Sequence, residues 1–113
     1  MITGVTELAV SVSVEGRDGD SRTVVRLVGE ADVTTGALAE VLGAEAAKMP
    51  RLLLVDISGL TFIDSAALNQ ILQAHRKLRA GGGRLELASP QPVVARILQL
   101  SAIDQIIPVR AST

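Results

Sequence analysis

The chain has 113 residues, of which 48% are hydrophobic and 20% are charged, which suits one domain with an apolar core. Lys and Arg number 11 against 12 Asp and Glu, and Phe62 is the only aromatic residue. Proteins that bind nucleic acid directly need a basic excess to neutralise phosphates, and often aromatic rings to stack on bases, so this function is not expected.

Cysteine is absent, which excludes disulfides, thiolate catalysis and cysteine-ligated zinc sites. Residues 1–4 contain no basic segment followed by an apolar stretch, so the sequence shows no signal peptide. The longest apolar run, Leu52–Val55, is far too short to span a membrane. We therefore expect a cytoplasmic protein without a membrane span.

The chain begins with the pattern of a β-hairpin. Leu8 and three valines alternate with small residues over residues 8–14, which is strand periodicity. A turn cluster at residues 16–21 precedes a second predicted strand, Thr23–Val28, which we expect Gly29 to end.

A strand–helix–strand unit is predicted next. Candidate helix N-caps at Asp32, Thr34 and Thr35 precede a segment with apolar residues near helical spacing, and Pro50 closes that segment. Leu52–Val55 is apolar on both faces, which is typical of a central strand covered on both sides. Parallel strands joined by a helix form a βαβ unit with a right-handed crossover.

The second half of the chain begins with a predicted helix. Apolar residues and His75 recur at helical spacing from Asp64 to Leu78, and Gly81–Gly83 ends the helix. A short strand, Arg84–Ala88, is expected to follow it.

Ser89-Pro90 predicts the start of a last helix, and Ile106–Val109 predicts a short final strand. The expected fold is therefore α/β. We predict a single domain over residues 1–113, with its core at about residues 8–109, built from a mixed sheet of four to five strands and about three helices.

Ser65, His75 and several aspartates raise the question of a catalytic triad. In a continuous helix from Asp64, ten residues would separate Ser65 from His75 by about 15 Å, whereas a nucleophile and its base must lie about 3 Å apart. We therefore predict no catalytic residue and no enzyme activity, and we interpret His75 as a residue at the margin of the apolar stripe.

Two other kinds of site are not expected either. Asp56 and Asp64 flank a predicted loop, residues 57–63, as the carboxylates of a cation site would, but a strand end and a helix cap explain them more simply. Gly81–Gly83 follows a helix and precedes a strand, the reverse of the order in which a glycine-rich loop presents a helix N-terminus to a phosphate. The sequence predicts neither a metal nor a cofactor.

The segment Thr61–Leu68 carries the most informative pattern. It places the hydroxyl of Ser65 beside Asp64 at the start of a helix, in the loop after a central strand. Ligands of open α/β sheets gather beyond the carboxyl ends of the strands, which favours a functional site. A simple helix cap explains the same polar residues equally well, so the residues alone leave both interpretations open.

Five segments resemble the STAS domain, and most closely the bacterial anti-sigma-factor antagonists. In chain order and at family-like intervals they are Gly29–Asp32, Leu54–Leu60, Thr61–Ser65, Gly82–Leu85 and Val93–Leu100. The resemblance covers roughly Leu8 to Val109, and its Phe-Ile-Asp-Ser block at residues 62–65 is quite specific.

The resemblance implies a switch in protein binding. A protein of this kind binds an anti-sigma factor that is also a serine kinase, and thereby releases a sigma factor. The kinase phosphorylates one serine, which Ser65 matches, the antagonist dissociates, and a serine phosphatase restores it. Asp64 matches the acidic residue before that serine, and Asp32 matches a position near the partner-binding surface. Ala66 and Ala67, in the first turn of the helix, complete the expected surface.

The chain departs from the family pattern at two positions. Ala67 stands where glycine is expected, and Ala31 replaces a larger apolar residue. Alanine suits a helix better than glycine by about 1 kcal/mol, so the fold should not suffer. A partner packed closely over bare backbone would, however, meet the methyl group of Ala67, and we expect kinase recognition to be affected.

The resemblance leaves a second function open. STAS domains also serve as scaffold or regulatory subunits of larger signalling or transport complexes, without a phosphoswitch. The transporter-linked kind is normally joined to a membrane protein, and the sequence has no span, so a stand-alone subunit of a larger complex is the alternative.

Overall fold

The computed structural model describes residues 8–16, 22–31 and 36–112, and these form five strands, three α-helices and one 3₁₀ helix. The elements are β1 (Ala9–Glu15), β2 (Arg22–Ala31), α1 (Gly36–Ala47), β3 (Leu52–Ile63), α2 (Ser65–Ala80), β4 (Arg84–Ala88), α3 (Pro92–Leu100), the 3₁₀ helix Ile103–Gln105 and β5 (Val109–Arg110). The predicted α/β fold is confirmed. Among the described residues, no helix has the length and apolarity needed to cross a membrane.

The sheet has the order β1-β2-β3-β4-β5. β1 is antiparallel to β2, which confirms the predicted hairpin, and the remaining neighbours are parallel. Because β2, β3, β4 and β5 run in the same direction, their carboxyl ends meet at one edge of the sheet. The segments that follow β2 and β3, which contain the predicted site residues, therefore begin at this edge.

All three helices pack against one face of the sheet. Residues Val25, Val55 and Leu87 are aligned across the central strands, and they share one buried cluster with residues of α1, α2 and α3. The core is aliphatic, as the composition predicts, and Leu52–Val55 is buried throughout. Burial of such apolar area is the main favourable contribution to folding.

The opposite face carries a small apolar cluster and a set of ion pairs. Val24, Leu54 and Ala88 form the cluster. Asp56 accepts a hydrogen bond from Arg26 at 2.9 Å, while the carboxylate of Glu86 accepts from both Arg84 and Arg110.

Hydrogen bonds and ion pairs on this face set the pKa values of two buried carboxyl groups. Burial raises the pKa of Asp56, but hydrogen bonds from Ser58 and Arg26 outweigh it and hold the pKa below its ordinary value. Burial likewise raises the pKa of Glu86, and Arg84 and Arg110 bring it down overall. Both groups are therefore charged near neutral pH, where their arginine partners balance them.

The bounds of three predicted strands were wrong, and the final strand is Val109–Arg110 instead of residues 106–109. β2 continues through Gly29 to Ala31, and β3 continues to Ile63, so residues 57–63 are strand and not loop. The register shifts between residues 26 and 28 and between residues 29 and 30 of β2, and β3 has one extra residue at each shift, so the two strands stay paired through bulges.

Glycines explain why these strands looked interrupted. Gly29 has φ 115°, a conformation that side chains disfavour, so glycine allows the strand to continue through the bulge. At Gly59, a β-carbon would lie 2.7 Å from a methyl carbon of Val28 on the neighbouring strand. Glycine permits close approach of β2 and β3 here, and does not end β3.

The helix ends agree with the predictions in part. The predicted caps Asp32, Thr34 and Thr35 lie outside the described residues. α2 ends at Ala80, before the three glycines, as predicted.

The predicted start of α3 was wrong, because the N-cap is Gln91 and the first residue is Pro92. Ser89 has φ 60° and donates its N–H to the carbonyl of Arg110, so it belongs to the β4–β5 pairing.

His75 is more deeply buried than a residue at the margin of a helix stripe. Its relative exposure is 6%, and among the described residues its Nδ1 has no hydrogen-bond partner. Burial lowers the pKa of His75, and the positive charges of Arg79 and Arg76 lower it further. The imidazole is therefore neutral in the folded state near neutral pH.

Replacing Gly43 by alanine should stabilise the fold by about 0.5–1 kcal/mol. Gly43 lies within α1, and a β-carbon there would meet nothing within 4 Å. The matched control is Gly83→Ala, which should destabilise the fold, since the β-carbon would lie 2.5 Å from the carbonyl oxygen of Pro50. Urea denaturation measures both free energies of unfolding, and a loss of stability in Gly43→Ala would contradict the packing of α1.

Stability should fall as the pH decreases from 7 towards 5.5, because His75 takes up a proton more readily in the unfolded chain. The pKa of His75 is below 6.5 in the folded state and close to 6.5 in the unfolded state. The free energy of unfolding is therefore highest above pH 6.5 and falls below it, where the unfolded chain is protonated first. Asp56 and Glu86 do not change the free energy of unfolding in this pH range, because carboxyl groups with lowered pKa values take up protons only at lower pH.

A His75→Leu variant isolates this effect. It removes the titrating group and the unpaired Nδ1, so its free energy of unfolding should vary less with pH than that of the wild type in this window. Chemical denaturation at several pH values gives the two slopes. Parallel curves for the two proteins would show that His75 does not titrate differently on folding.

Candidate functional site

The candidate site lies where β3 passes into α2. Asp64 is the N-cap of α2, with extended backbone, and its Oδ1 accepts a hydrogen bond from the backbone N–H of Ala67 at 2.8 Å. The N–H of Asp64 donates to the carbonyl of Ala31 at 3.0 Å. One residue therefore caps α2 and ties its start to the end of β2, which positions Ser65 at the carboxyl edge of the sheet.

The first turn of α2 exposes its residues to different degrees. Ser65 is the first helical residue and is exposed, whereas Ala66 is half-buried. Ala67 is 1% exposed, so its methyl group lies in the core. The expectation that a partner would meet this methyl group was therefore wrong, because the helix turns the side chain of Ala67 away from the surface that presents Ser65.

Ser65 lines a shallow groove of about 230 Å³. The groove is lined by Ser65, Leu68, Asn69 and Leu72 of α2 and by Ser101 and Ile103, which follow α3. Small-molecule sites typically measure about 300–1,000 Å³ and enclose most of the ligand, so this groove is too small for that role. Among the described residues, three apolar and three polar side chains and no charged one line the groove, and most of the lining surface is apolar.

Sequence reasoning missed most of this groove. Leu68, Asn69 and Leu72 follow Ser65 at spacings of three, four and seven residues, so helical periodicity alone places them on the same face. No local signal identified Ser101 or Ile103, because they reach the groove only through the packing of the segment after α3.

An exposed aromatic side chain lies close to Ser65 in the chain. Phe62 is 41% exposed and pairs in register with Glu30 at the end of β2. Thr61 donates its hydroxyl to the carbonyl of Gly29 at 3.3 Å, which adds a side-chain link between the same two strands. Aromatic side chains are enriched in protein-binding surfaces.

Asp32 lies outside the described residues, so its predicted place near Ser65 stays a prediction. The described part of β2 ends at Ala31, the residue immediately before Asp32 in the sequence. The carbonyl of Ala31 accepts the hydrogen bond from Asp64. Ala31 therefore lies beside the start of α2.

The alternative uses of the acidic residues and of His75 do not agree with the geometry. Because β3 is a continuous strand, Asp56 and Asp64 are separated by on the order of 25 Å and cannot share a cation. In the described ranges, no cluster of three His, Cys, Asp or Glu side chains is placed to hold a metal. α2 is unbroken from Ser65 to Ala80, so the expected separation of about 15 Å between Ser65 and His75 holds.

Comparison with known proteins places this arrangement in a family. The sequence profile of the STAS domain matches residues 11–113. An anti-sigma F factor antagonist of Paenibacillus polymyxa is 28% identical over 88 residues, which are 76% of this chain and 75% of that protein. A candidate anti-anti-sigma factor of Mycobacterium tuberculosis is 33% identical over 60 residues, 53% of this chain, but this match spans only 40% of that relative.

A solved structure agrees with the sequence comparison. The crystal structure of an anti-sigma factor antagonist from Mycobacterium paratuberculosis is 28% identical to this chain and superposes with a TM-score of 0.77, covering 92% of this chain and 87% of the other. The predicted resemblance is thus confirmed over nearly the whole described fold. The chain belongs to the STAS domain family, and within it is similar to the anti-sigma factor antagonists.

Proposed function

We propose that this protein is an anti-sigma factor antagonist whose binding to an anti-sigma factor with serine kinase activity is ended by phosphorylation of Ser65. The relatives named as antagonists support the class of partner. The observation that carries the switch is the position of Ser65, which is exposed at the N-terminus of α2 and lines a groove whose described lining residues carry no charge.

The capping geometry allows Ser65 to be modified without loss of the helix. Asp64, and not Ser65, supplies the side-chain oxygen that accepts from the N–H of Ala67. The Ser65 hydroxyl is therefore not required as a cap, which was the competing interpretation of this residue. A phosphate at the N-terminus of α2 also meets the positive end of the helix dipole, so the fold should tolerate it.

The lining of the groove explains why the same phosphate would end binding. A phosphoserine carries about −1.5 to −2 charges near neutral pH. None of the described residues that line the groove is charged and able to pair with it, so a partner that covers the groove would bury an uncompensated charge. A cost of about 3 kcal/mol lowers affinity more than a hundredfold.

The proposed interface extends from Asp32 and Asp64 through Ser65 and Ala66 to the groove. We include Phe62 because it is exposed three residues before Ser65 in the chain, and Leu68 and Asn69 because they line the groove with Ser65. We further propose a cytoplasmic setting, a serine phosphatase that restores the unmodified form, and no catalytic activity or cofactor of the protein's own.

Variants of Ser65 test the switch directly. We expect Ser65→Ala to bind the kinase partner as tightly as the wild type and to stay bound in the presence of ATP, because it cannot be phosphorylated. Ser65→Glu should bind about a hundredfold more weakly, since it places a charge in the groove. The partner is obtained by co-purification from native cells and identified by mass spectrometry, and affinities are measured by calorimetric titration.

A matched control separates position from charge. Gln73→Glu adds the same charge at an exposed position. Gln73 lines a second groove, between α1 and α2, away from the proposed interface, so the variant should not change the affinity. Thermal melts show whether every variant folds. If Ser65→Glu binds as tightly as the wild type, or if kinase and ATP leave Ser65 unmodified, the switch is refuted and the scaffold function is favoured.

Asp32 can be tested in the same titration. Replacing Asp32 with lysine should weaken partner binding by reversing a charge at the proposed interface, without lowering the melting temperature. The comparison is again with Gln73→Glu. Equal affinity for the wild type and for Asp32→Lys would remove Asp32 from the interface and leave the Ser65 switch untouched.

A further inference from the structure

β1 is an outer strand that lacks the usual protection against pairing. It lies at one edge of the sheet, and in the described part of the chain no strand pairs with its outer side. Outer strands are commonly shortened, bulged or given a lysine or proline. β1 pairs with β2 through seven consecutive residue pairs without a bulge, and its sequence, AVSVSVE, has no charge before Glu15. The opposite edge strand, β5, is only two residues long.

The valines of β1 form an apolar row on the helix-covered face of the sheet. Val10 pairs with Leu27 and Val12 with Val25, and both partners are core residues of that face. Val10 is half-buried, but Val12 is 42% exposed and Val14 is 70% exposed. The row therefore runs out of the core and ends in solvent at the outer edge of the sheet.

The sequence of β1 is self-complementary in the antiparallel direction. Residues 10–14 read Val-Ser-Val-Ser-Val in both directions. If two copies pair about a two-fold axis at Val12, each Val10 lies opposite Val14 of the other copy, and Ser11 lies opposite Ser13. Directly opposed residues share a face, so valines meet valines and serines meet serines. This register also uses all seven residues of the strand.

We propose that β1 pairs with β1 of a second copy of this chain to form a symmetric dimer. The two five-stranded sheets then form one continuous sheet, and the two valine rows cover each other. Charge does not oppose this arrangement: Glu15 is held by Arg22 at 3.1 Å and lies opposite Ala9 of the other copy. The two Glu15 residues are about 20 Å apart along the strands.

The size of the interface indicates a reversible dimer. A standard interface buries about 1,600 Å² with 20–30 residues on each side, so seven residues per copy bury roughly 450 Å². This is well below the roughly 1,200 Å² of a stable specific complex. The dimer therefore forms at high protein concentration and dissociates on dilution.

Disulfide cross-linking tests the register, because the chain has no cysteine of its own. In the proposed dimer, Val12→Cys faces its own symmetry mate, with α-carbons about 4.5–5.5 Å apart, a separation that a disulfide spans. Val14→Cys is more exposed in the monomer but lies about 14 Å from its mate. At high protein concentration under mild oxidation, Val12→Cys should cross-link at least tenfold faster than Val14→Cys.

Two outcomes of cross-linking overturn the proposal. Equal rates for Val12→Cys and Val14→Cys would mean random collision. Faster cross-linking of Ser11→Cys than of Val12→Cys would mean that the strands meet in a different register.

Sedimentation of the uncross-linked protein tests the dimer itself. The wild type should show a monomer–dimer equilibrium, which Val12→Lys abolishes by placing two like charges opposite each other. Ser13→Lys is the control, since Ser13 is exposed on the other face and lies opposite Ser11 of the second copy. Thermal melts confirm that both variants fold. A wild type that remains monomeric at all concentrations, or a Val12→Lys variant that still dimerises, refutes the proposal.

Discussion

Asp64 makes two hydrogen bonds that position the functional end of this molecule. Its carboxylate caps α2 by accepting from the N–H of Ala67, and its own N–H donates to the carbonyl of Ala31 at the end of β2. Because both bonds involve one residue, the start of the helix and the ends of two central strands cannot move independently. Ser65, the next residue, is therefore held at a defined place, and its hydroxyl remains available for chemistry.

This division of labour between neighbours supports the proposed switch. A serine that capped its own helix would couple phosphorylation to the stability of that helix. Here the cap belongs to Asp64, so the charge of Ser65 can change while the fold persists. In the part of the chain that the structure describes, no charged side chain lines the groove, so burying the phosphate under a partner would carry a large electrostatic cost. A binding signal can thus be transmitted without a change of the fold.

The two faces and the two edges of the sheet serve different purposes. One face buries the aliphatic core under three helices, and the other holds its buried carboxylates by pairing them with arginines. The proposed interface with an anti-sigma factor lies at the carboxyl ends of the parallel strands. β1, the outer strand of the sheet, is left open to the proposed pairing with a second copy. Since these two surfaces share no residue, substitutions at Val12 and at Ser65 can separate their effects.

The sequence by itself determined the class of fold, the helix α2 with its cap at Asp64, and the identity of Ser65 as the residue of interest. These depend on local physics, namely periodicity, capping chemistry and glycine at a helix end. The family resemblance, carried by residues 62–65 among others, came from the sequence as well.

Only the tertiary structure decided where β2 and β3 end, which side chains line the groove and where the methyl group of Ala67 points. Gly29 and Gly59 are typical of strand ends when the local sequence is considered alone. In the folded sheet, Gly29 lies at a bulge between β2 and β3, and Gly59 allows the two strands to approach closely. Ser101 lines the groove with Ser65 only because the segment after α3 packs beside α2. Such features depend on residues distant in the chain, and a local pattern contains no information about which distant residues will meet.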